Sequence, residues 1–236
     1  EELLDILKTI HENFNKTQSQ PNNNKAIRAI AFTPIPEKDK NPTWVSGGNL
    51  KEIATLSHPH EGRRFAKKYY EICTLLEQMP TPVLMAVDGA VIGGGTELLL
   101  SGDIILTTRR SIFNFIQLRL GLAAGFGGTR KLVSLIGKSR AKSLLLGAKN
   151  ISAQEAFELG LIEAPLASYD KLMEELEKKL SYFLSLDPLA IAIQKQMLFN
   201  TGPMNPLTAQ EIDLNLFSSL WMKGTHKKSV TKFLDD

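Results

Sequence analysis

The sequence predicts an α/β fold, and three features of the chain carry that expectation. Short apolar runs that read as buried strands alternate with amphipathic helical stretches in the first half. Helical patterns alone follow from residue 129 onward. Glycine clusters stand where strands or loops give way to helices. The expected organisation is an α/β core over residues 1–185 and a helical region over 186–236. At 236 residues and 43% apolar, the chain is long enough for one well-buried domain.

The elements follow in order. Glu1 to Asn15 sets Leu3, Leu4, Leu7, Ile10 and Phe14 at helical spacing. Gln18 to Asn24 is a polar turn, and Ala26 to Phe32 reads as a short buried strand. Thr33 to Trp44, with its prolines and a run of charges, reads as a surface loop. Leu50 to Met79 is mainly helical, with an interruption across Ser57 to Gly62. Pro82 to Val87 is a second buried strand, and Ile104–Thr108 and Ile112–Ile116 are two more. Ser152-Ala-Gln-Glu155 is a capping box opening a helix over Glu155–Leu159, which Gly160 ends. Asp187-Pro188 is an N-cap followed by proline at the first helical position, leading Leu189–Phe199. Asn205-Pro206 repeats the device before Leu207–Met222.

Composition excludes several classes of function. The net charge is +3, 28 basic against 25 acidic residues, too slight an excess for a nucleic-acid-binding surface. A single cysteine excludes an intramolecular disulfide framework and a Cys-rich zinc module, and the histidine spacings give no metal site. The longest apolar stretch, Thr81–Leu100, is broken by Pro82, Asp88, its glycines and Glu97, so no membrane insertion is expected. The chain opens with Glu1-Glu2 inside a helical pattern and without an initiator Met, so it reads as trimmed.

The informative segment is Asp88 to Asp103. A strand enters Gly93-Gly94-Gly95, and a leucine-rich helix leaves them. The glycines leave room for close approach to the main chain, and the first amides of the helix lack partners. Such a turn suits an anion, or an oxygen that becomes anionic during a reaction. Glu97 follows inside the first turn; it is either an acid–base group or an exposed glutamate favoured by the helix dipole. A second cluster, Val45 to Glu52, offers another amide at Gly48 or is simply a turn, and a third, Leu120 to Arg130, again precedes a helix. Nucleotide loops fail on spacing. The first P-loop glycine matching Gly137-Lys138-Ser139 would fall at Leu132, and Arg130 stands where a dinucleotide fingerprint needs its third glycine.

These residues resemble the crotonase family, the enoyl-CoA hydratase/isomerase group. Thr43–Glu52 is similar to its AFSAGADLKE segment, and Thr81–Leu98 to KPVIAAVNGYALGGGCEL. Leu120–Arg130 is similar to LGIIPGFGGTQ, and Gly137–Gly160 to the GKGRA and ISAEEALELG segments. The resemblance implies a crotonase-like spiral of ββα units, its first strand pair lying before Glu1, and a C-terminal helical region that mediates trimerisation. It further implies a homotrimer or hexamer, a cytoplasmic location and an acyl-CoA thioester substrate. No cofactor is expected, because coenzyme A is part of the substrate. The oxyanion-hole donors implied are the amides of Gly48 and Gly94, with Ser46 and Leu50 flanking the adenine end of CoA.

The departures are chemical. Glu97 matches the glutamate of GGGCEL, but Gln117 stands where the family's second glutamate is expected. An amide can orient water or a carboxylate, but it cannot shuttle a proton at neutral pH. Asn49 replaces the usual aspartate beside the first glycine pair. Hydration or isomerisation through Glu97 is the leading expectation. Decarboxylation of an alkylmalonyl-CoA is an alternative, which Leu220-Trp221 also resembles, and a catalytically silent CoA-binding scaffold is another.

The remaining chemical side chains have blander readings. Cys73 sits on an apolar helical face as a core thiol. His58 and His60 belong to a polar loop whose position resembles the family's cover over the acyl pocket. His226, Lys67-Lys68 and Lys227-Lys228 read as surface, and Trp44 and Trp221 as packing residues.

Overall fold

Successive segments of the chain lay one strand in each of two sheets before turning into a helix. The computed structural model describes residues 2–17, 27–36, 42–56, 58–199, 212, 214 and 215. After α1 (Glu2–Thr17), β1 (Ile30–Phe32) and β2 (Thr43–Val45) lead to α2 (Leu50–Ile53) and α3 (Pro59–Gln78). The next unit is β3 (Val83–Val87), β4 (Ala90–Ile92) and α4 (Gly94–Leu99). A third is β5 (Ile104–Thr107) and β6 (Ile112–Asn114), then a 3₁₀ turn over Gln117–Leu120 and α5 (Gly128–Leu146). β7 (Asn150–Ser152), α6 (Ala153–Glu158), α7 (Tyr169–Ser185) and α8 (Pro188–Phe199) complete the described elements.

The first strands of the units form one parallel sheet, β1-β3-β5, and the second strands form another, β2-β4-β6, to which β7 adds antiparallel. This is the α/β fold that the sequence predicts, in the spiral of ββα units that the family resemblance implies. β3 is buried at every position, as a parallel strand covered on both faces must be. Its alternation divides the core. Val83, Met85 and Val87 enter the main cluster with Leu7, Leu76 and Leu132, while Leu84 and Ala86 meet Leu172 and Leu176 of α7. Full burial of a side chain such as Leu84 contributes about 1.5–3 kcal/mol.

Several boundaries differ from the sequence reading. The first strand is confined to Ile30–Phe32, and the expected loop ends in β2 rather than running through Trp44. The helical interruption lies before Pro59, because proline suits a first helical position and α3 begins on it. The strand expected over Ile112–Ile116 stops at Asn114, and α6 starts at Ala153, earlier than expected. The capping box at Ser152 is present: Glu155 N–H donates to Ser152 Oγ (3.2 Å) and Ser152 N–H to Glu155 Oε2 (2.7 Å). Asp187 Oδ1 accepts from Leu189 and Ala190 at 2.9 Å each, the N-cap expected for α8. The helix expected over 207–222 lies outside the described residues except at Ile212, Leu214 and Asn215, which are helical. Among the described residues, no helix is long and apolar enough to cross a membrane.

Candidate active site

The site grows from the junction between β4 and α4. Gly93 caps α4 at φ 55°, ψ −119°, a conformation that glycine alone adopts readily. Its amide donates to the Asn114 carbonyl (2.9 Å), and its own carbonyl accepts from Thr96 N–H (2.9 Å). That geometry starts the helix at Gly94 and fixes the direction of its first turn. The Val45–Gly48 loop comes against the same turn: a Cβ on Gly47 would lie 2.9 Å from the Gly94 nitrogen. The glycine clusters at Val45–Glu52 and Gly93–Gly95 therefore meet.

Glu97 is 2% exposed, which removes the exposed, dipole-favoured reading. Its Oε2 accepts from the amides of Phe126 and Gly128, each at 2.8 Å, both supplied by the third glycine cluster. The contact requires glycine at 128, where a Cβ would fall 2.5 Å from Glu97 Cγ. Glu97 Oε1 faces Gln117, whose Nε2 donates to it at 3.4 Å and to the Gly93 carbonyl at 3.1 Å. Gln117 is itself buried, and its Oε1 has no hydrogen-bond partner among the described residues. Burial raises the pKa of Glu97 above the ordinary glutamate value, against the opposing pull of the Gly128, Phe126 and Gln117 donors. A buried carboxyl moved toward neutrality is suited to accept and return a proton.

The main chain of Glu97 is fixed as firmly as its side chain. Its carbonyl accepts from Ser101 Oγ (3.0 Å) and from the Cys73 thiol (3.8 Å). Ser101 Oγ in turn accepts from Lys131 Nζ (2.5 Å), and the buried Lys131 also lies 3.5 Å from Glu77. A cation thus sits at the C-terminal end of α4, where the dipole favours it. The sequence reading passed over Phe126, Gly128, Ser101 and Lys131. The signal that could have found the first two is the run Gly125 to Gly128 ahead of a helix, a second set of unpaired amides.

The other candidates are distributed as follows. Gly48 and Gly94 are half-buried, and Ser46 and Leu50 are exposed beside them. Asn49 caps α2, its Oδ1 accepting from Lys51 N–H at 3.0 Å, which gives the residue a structural role. His58 precedes α3, its amide donating to Glu61 Oε2 (3.0 Å), and its ring stacks 5.5 Å from that of His60. Cys73 is buried, and burial pushes its thiol pKa up, consistent with a core thiol. Trp44 packs against the main core, and Lys67 is exposed. Trp221, His226 and Lys227-Lys228 lie outside the described residues. Among the described residues, no cluster of three or more His, Cys, Asp or Glu could hold a metal ion.

Comparison with known proteins gives a consistent answer. Residues 6–236 match the enoyl-CoA hydratase/isomerase family. The chain is 29% identical over 213 residues to a short-chain-enoyl-CoA hydratase of Clostridium acetobutylicum, covering 90% of this chain and 79% of that one. It is 30% identical over 215 residues to a crotonyl-CoA hydratase of Syntrophomonas wolfei, covering 91% and 80%. The structure superposes on a crystal structure of an enoyl-CoA hydratase from Bacillus anthracis with a TM-score of 0.84. Identity there is 26%, with 98% of this chain and 85% of that chain covered. With the spiral of ββα units and the family's ordered glycine motifs in place, the chain belongs to the enoyl-CoA hydratase/isomerase family.

Proposed function

We propose that the chain is an acyl-CoA enzyme of the hydratase/isomerase type that works with one carboxylate, Glu97. The observation that carries this reading is a buried glutamate held by the Phe126 and Gly128 amides at 2.8 Å, in the first turn of a helix that begins at Gly94. The amides of Gly48 and Gly94 would share the thioester oxygen, and Ser46 and Leu50 would border the adenine end of CoA. In hydration, the oxygen of water bonds to the β-carbon, and the double-bond electrons move onto the thioester as an enolate. The carbonyl re-forms as the α-carbon takes up a proton. Glu97 receives the proton from water and passes it to the α-carbon; Gln117 holds Glu97 in place without titrating. Two preorganised donors on the enolate oxygen would contribute roughly 3–4 kcal/mol each. The names of the two hydratase relatives support this choice.

Gln117 favours a second reading. Loss of CO2 from an alkylmalonyl-CoA needs the same two amides and one acid to reprotonate the enolate, and no second carboxylate. A third reading, a scaffold that binds CoA without chemistry, predicts that no acyl-CoA changes. Incubation with a mixed acyl-CoA panel separates the readings by gain of water or loss of CO2 in mass spectrometry, by a shifted double bond at unchanged mass in chromatography, or by no change in either. Gain of water on a 2-enoyl-CoA is the expected result; loss of CO2 or no change contradicts hydration. The assembly proposed is a homotrimer or hexamer, which light scattering checks.

A further inference from the structure

The two glycines proposed to bind the thioester oxygen are covered by one cluster of aromatic rings. Phe65 and Tyr69 project from α3, and Phe126 stands just ahead of α5. Their ring centroids are 4.8 Å (Phe65–Tyr69), 5.0 Å (Tyr69–Phe126) and 6.2 Å (Phe65–Phe126) apart. Phe65 Cζ lies 3.1 Å from the place a Cβ on Gly48 would occupy, and Phe126 Cε2 lies 2.6 Å from that place on Gly94. All three residues are half-buried, so the cluster keeps open faces as well as packed ones. Phe126 is tied to the chemistry twice, because its amide also holds the Glu97 carboxylate.

Aromatic rings at these separations sit in the favourable packing range, and none swings aside without giving up contacts to the others. Because the rings lie against both Gly48 and Gly94, an acyl chain whose thioester oxygen was held between those residues would meet them within its first few carbons. We propose that the Phe65–Tyr69–Phe126 cluster is the chain-length stop of the acyl pocket, so that short acyl thioesters are the substrate class. The inference rests on the acyl-CoA reading above. A short chain lies against the rings and gains apolar contact, whereas a long one must displace them.

The test uses 2-enoyl-CoA substrates of four, eight and twelve carbons with the unaltered protein, Phe65→Ala, Phe126→Ala and the milder Phe65→Leu. Equilibrium binding of the saturated acyl-CoAs of the same lengths is measured alongside, because it needs no turnover. The unaltered protein should prefer four carbons over twelve by at least ~10-fold in kcat/KM and in binding, the scale on which apolar pockets discriminate. Either alanine variant should raise the twelve-to-four ratio by at least ~10-fold, and Phe65→Leu should raise it by less. Four-carbon turnover should fall in Phe126→Ala. Equal or tighter binding of the twelve-carbon chain by the unaltered protein overturns the proposal, as do ratios that none of the variants moves. A protein that turns over no substrate but binds with the stated order refutes the enzymatic reading and keeps the chain-length stop. One that binds no acyl-CoA refutes both.

Discussion

Gln117 donates to Glu97 Oε1 at 3.4 Å while also donating to the Gly93 carbonyl at 3.1 Å, so a neutral amide ties the carboxylate to the glycine turn. Burial disfavours the charge on Glu97, and the amides of Phe126 and Gly128 favour it; burial is the larger influence, and the pKa rises. The carboxylate is thereby geometrically fixed yet exchangeable in protonation.

Replacing Glu97 by Gln removes the only proton carrier proposed. Turnover of the responsive acyl-CoA should fall at least ~10²-fold, the usual scale for a general acid–base group. Steady-state kinetics beside equilibrium binding checks this, with binding of a saturated acyl-CoA changed far less than kcat.

The raised pKa of Glu97 also fixes the sign of a stability effect. A group whose native pKa exceeds its unfolded value, about 4.3 for glutamate, stabilises the fold most below that value. That contribution is lost as pH rises through the native pKa. The melting temperature of Glu97→Gln relative to the unaltered protein should therefore increase from pH 5 to pH 8. A difference that shrinks over that range contradicts the assignment.

Gln117→Glu would set a second carboxyl 3.4 Å from Glu97 Oε1 and remove the donor to the Gly93 carbonyl. Two carboxyls so close retain one proton between them, and the pair titrates as a unit. The acid limb of the pH–rate profile should move to higher pH. Stability at pH 8 should fall by about 1–3 kcal/mol, recovering toward pH 5, as read by urea unfolding at both values.

Away from the site, Asp88 closes the turn between β3 and β4. Its Oδ1 accepts from Arg110 Nε at 2.6 Å and from Thr108 Oγ1 at 2.7 Å, and the hydrogen bonds with Arg110 hold its pKa below the ordinary value. Asp88→Asn should cost about 1–3 kcal/mol at pH 7. The unaltered Asp88 contributes its stability above its unfolded pKa of about 3.9 and loses it as pH falls through the lower native value. The gap between variant and parent should therefore narrow in acid unfolding.

Much of this was legible in the sequence, for physical reasons that differ by element. β3 could be read because all its residues are apolar, the mark of a strand covered on both faces. β2 and β7 were missed because Thr43–Val45 follows a stretch rich in proline and charge, and Asn150–Ser152 runs directly into the Ser152 helix cap. β4, squeezed between Gly89 and Gly93, reads locally as part of a turn. At the site, the glycine run placed Glu97 in the first turn of a helix, but its burial was not visible. The amides that hold it come from residues 29 and 31 positions further along, and the lysine anchoring Ser101 from 30. Such pairings are set by the closure of the spiral, which no local pattern records.

The most direct measurement is exchange of the α-hydrogens of butyryl-CoA in D2O, read by mass spectrometry. This saturated thioester can form the enolate without undergoing hydration, isomerisation or decarboxylation, so exchange isolates the two amides and Glu97 from the choice of reaction. The account predicts deuterium at the α-carbon with the unaltered protein and background levels with Glu97→Gln. A protein that binds butyryl-CoA without exchanging it, or a variant that exchanges it as fast as the parent, would contradict the account.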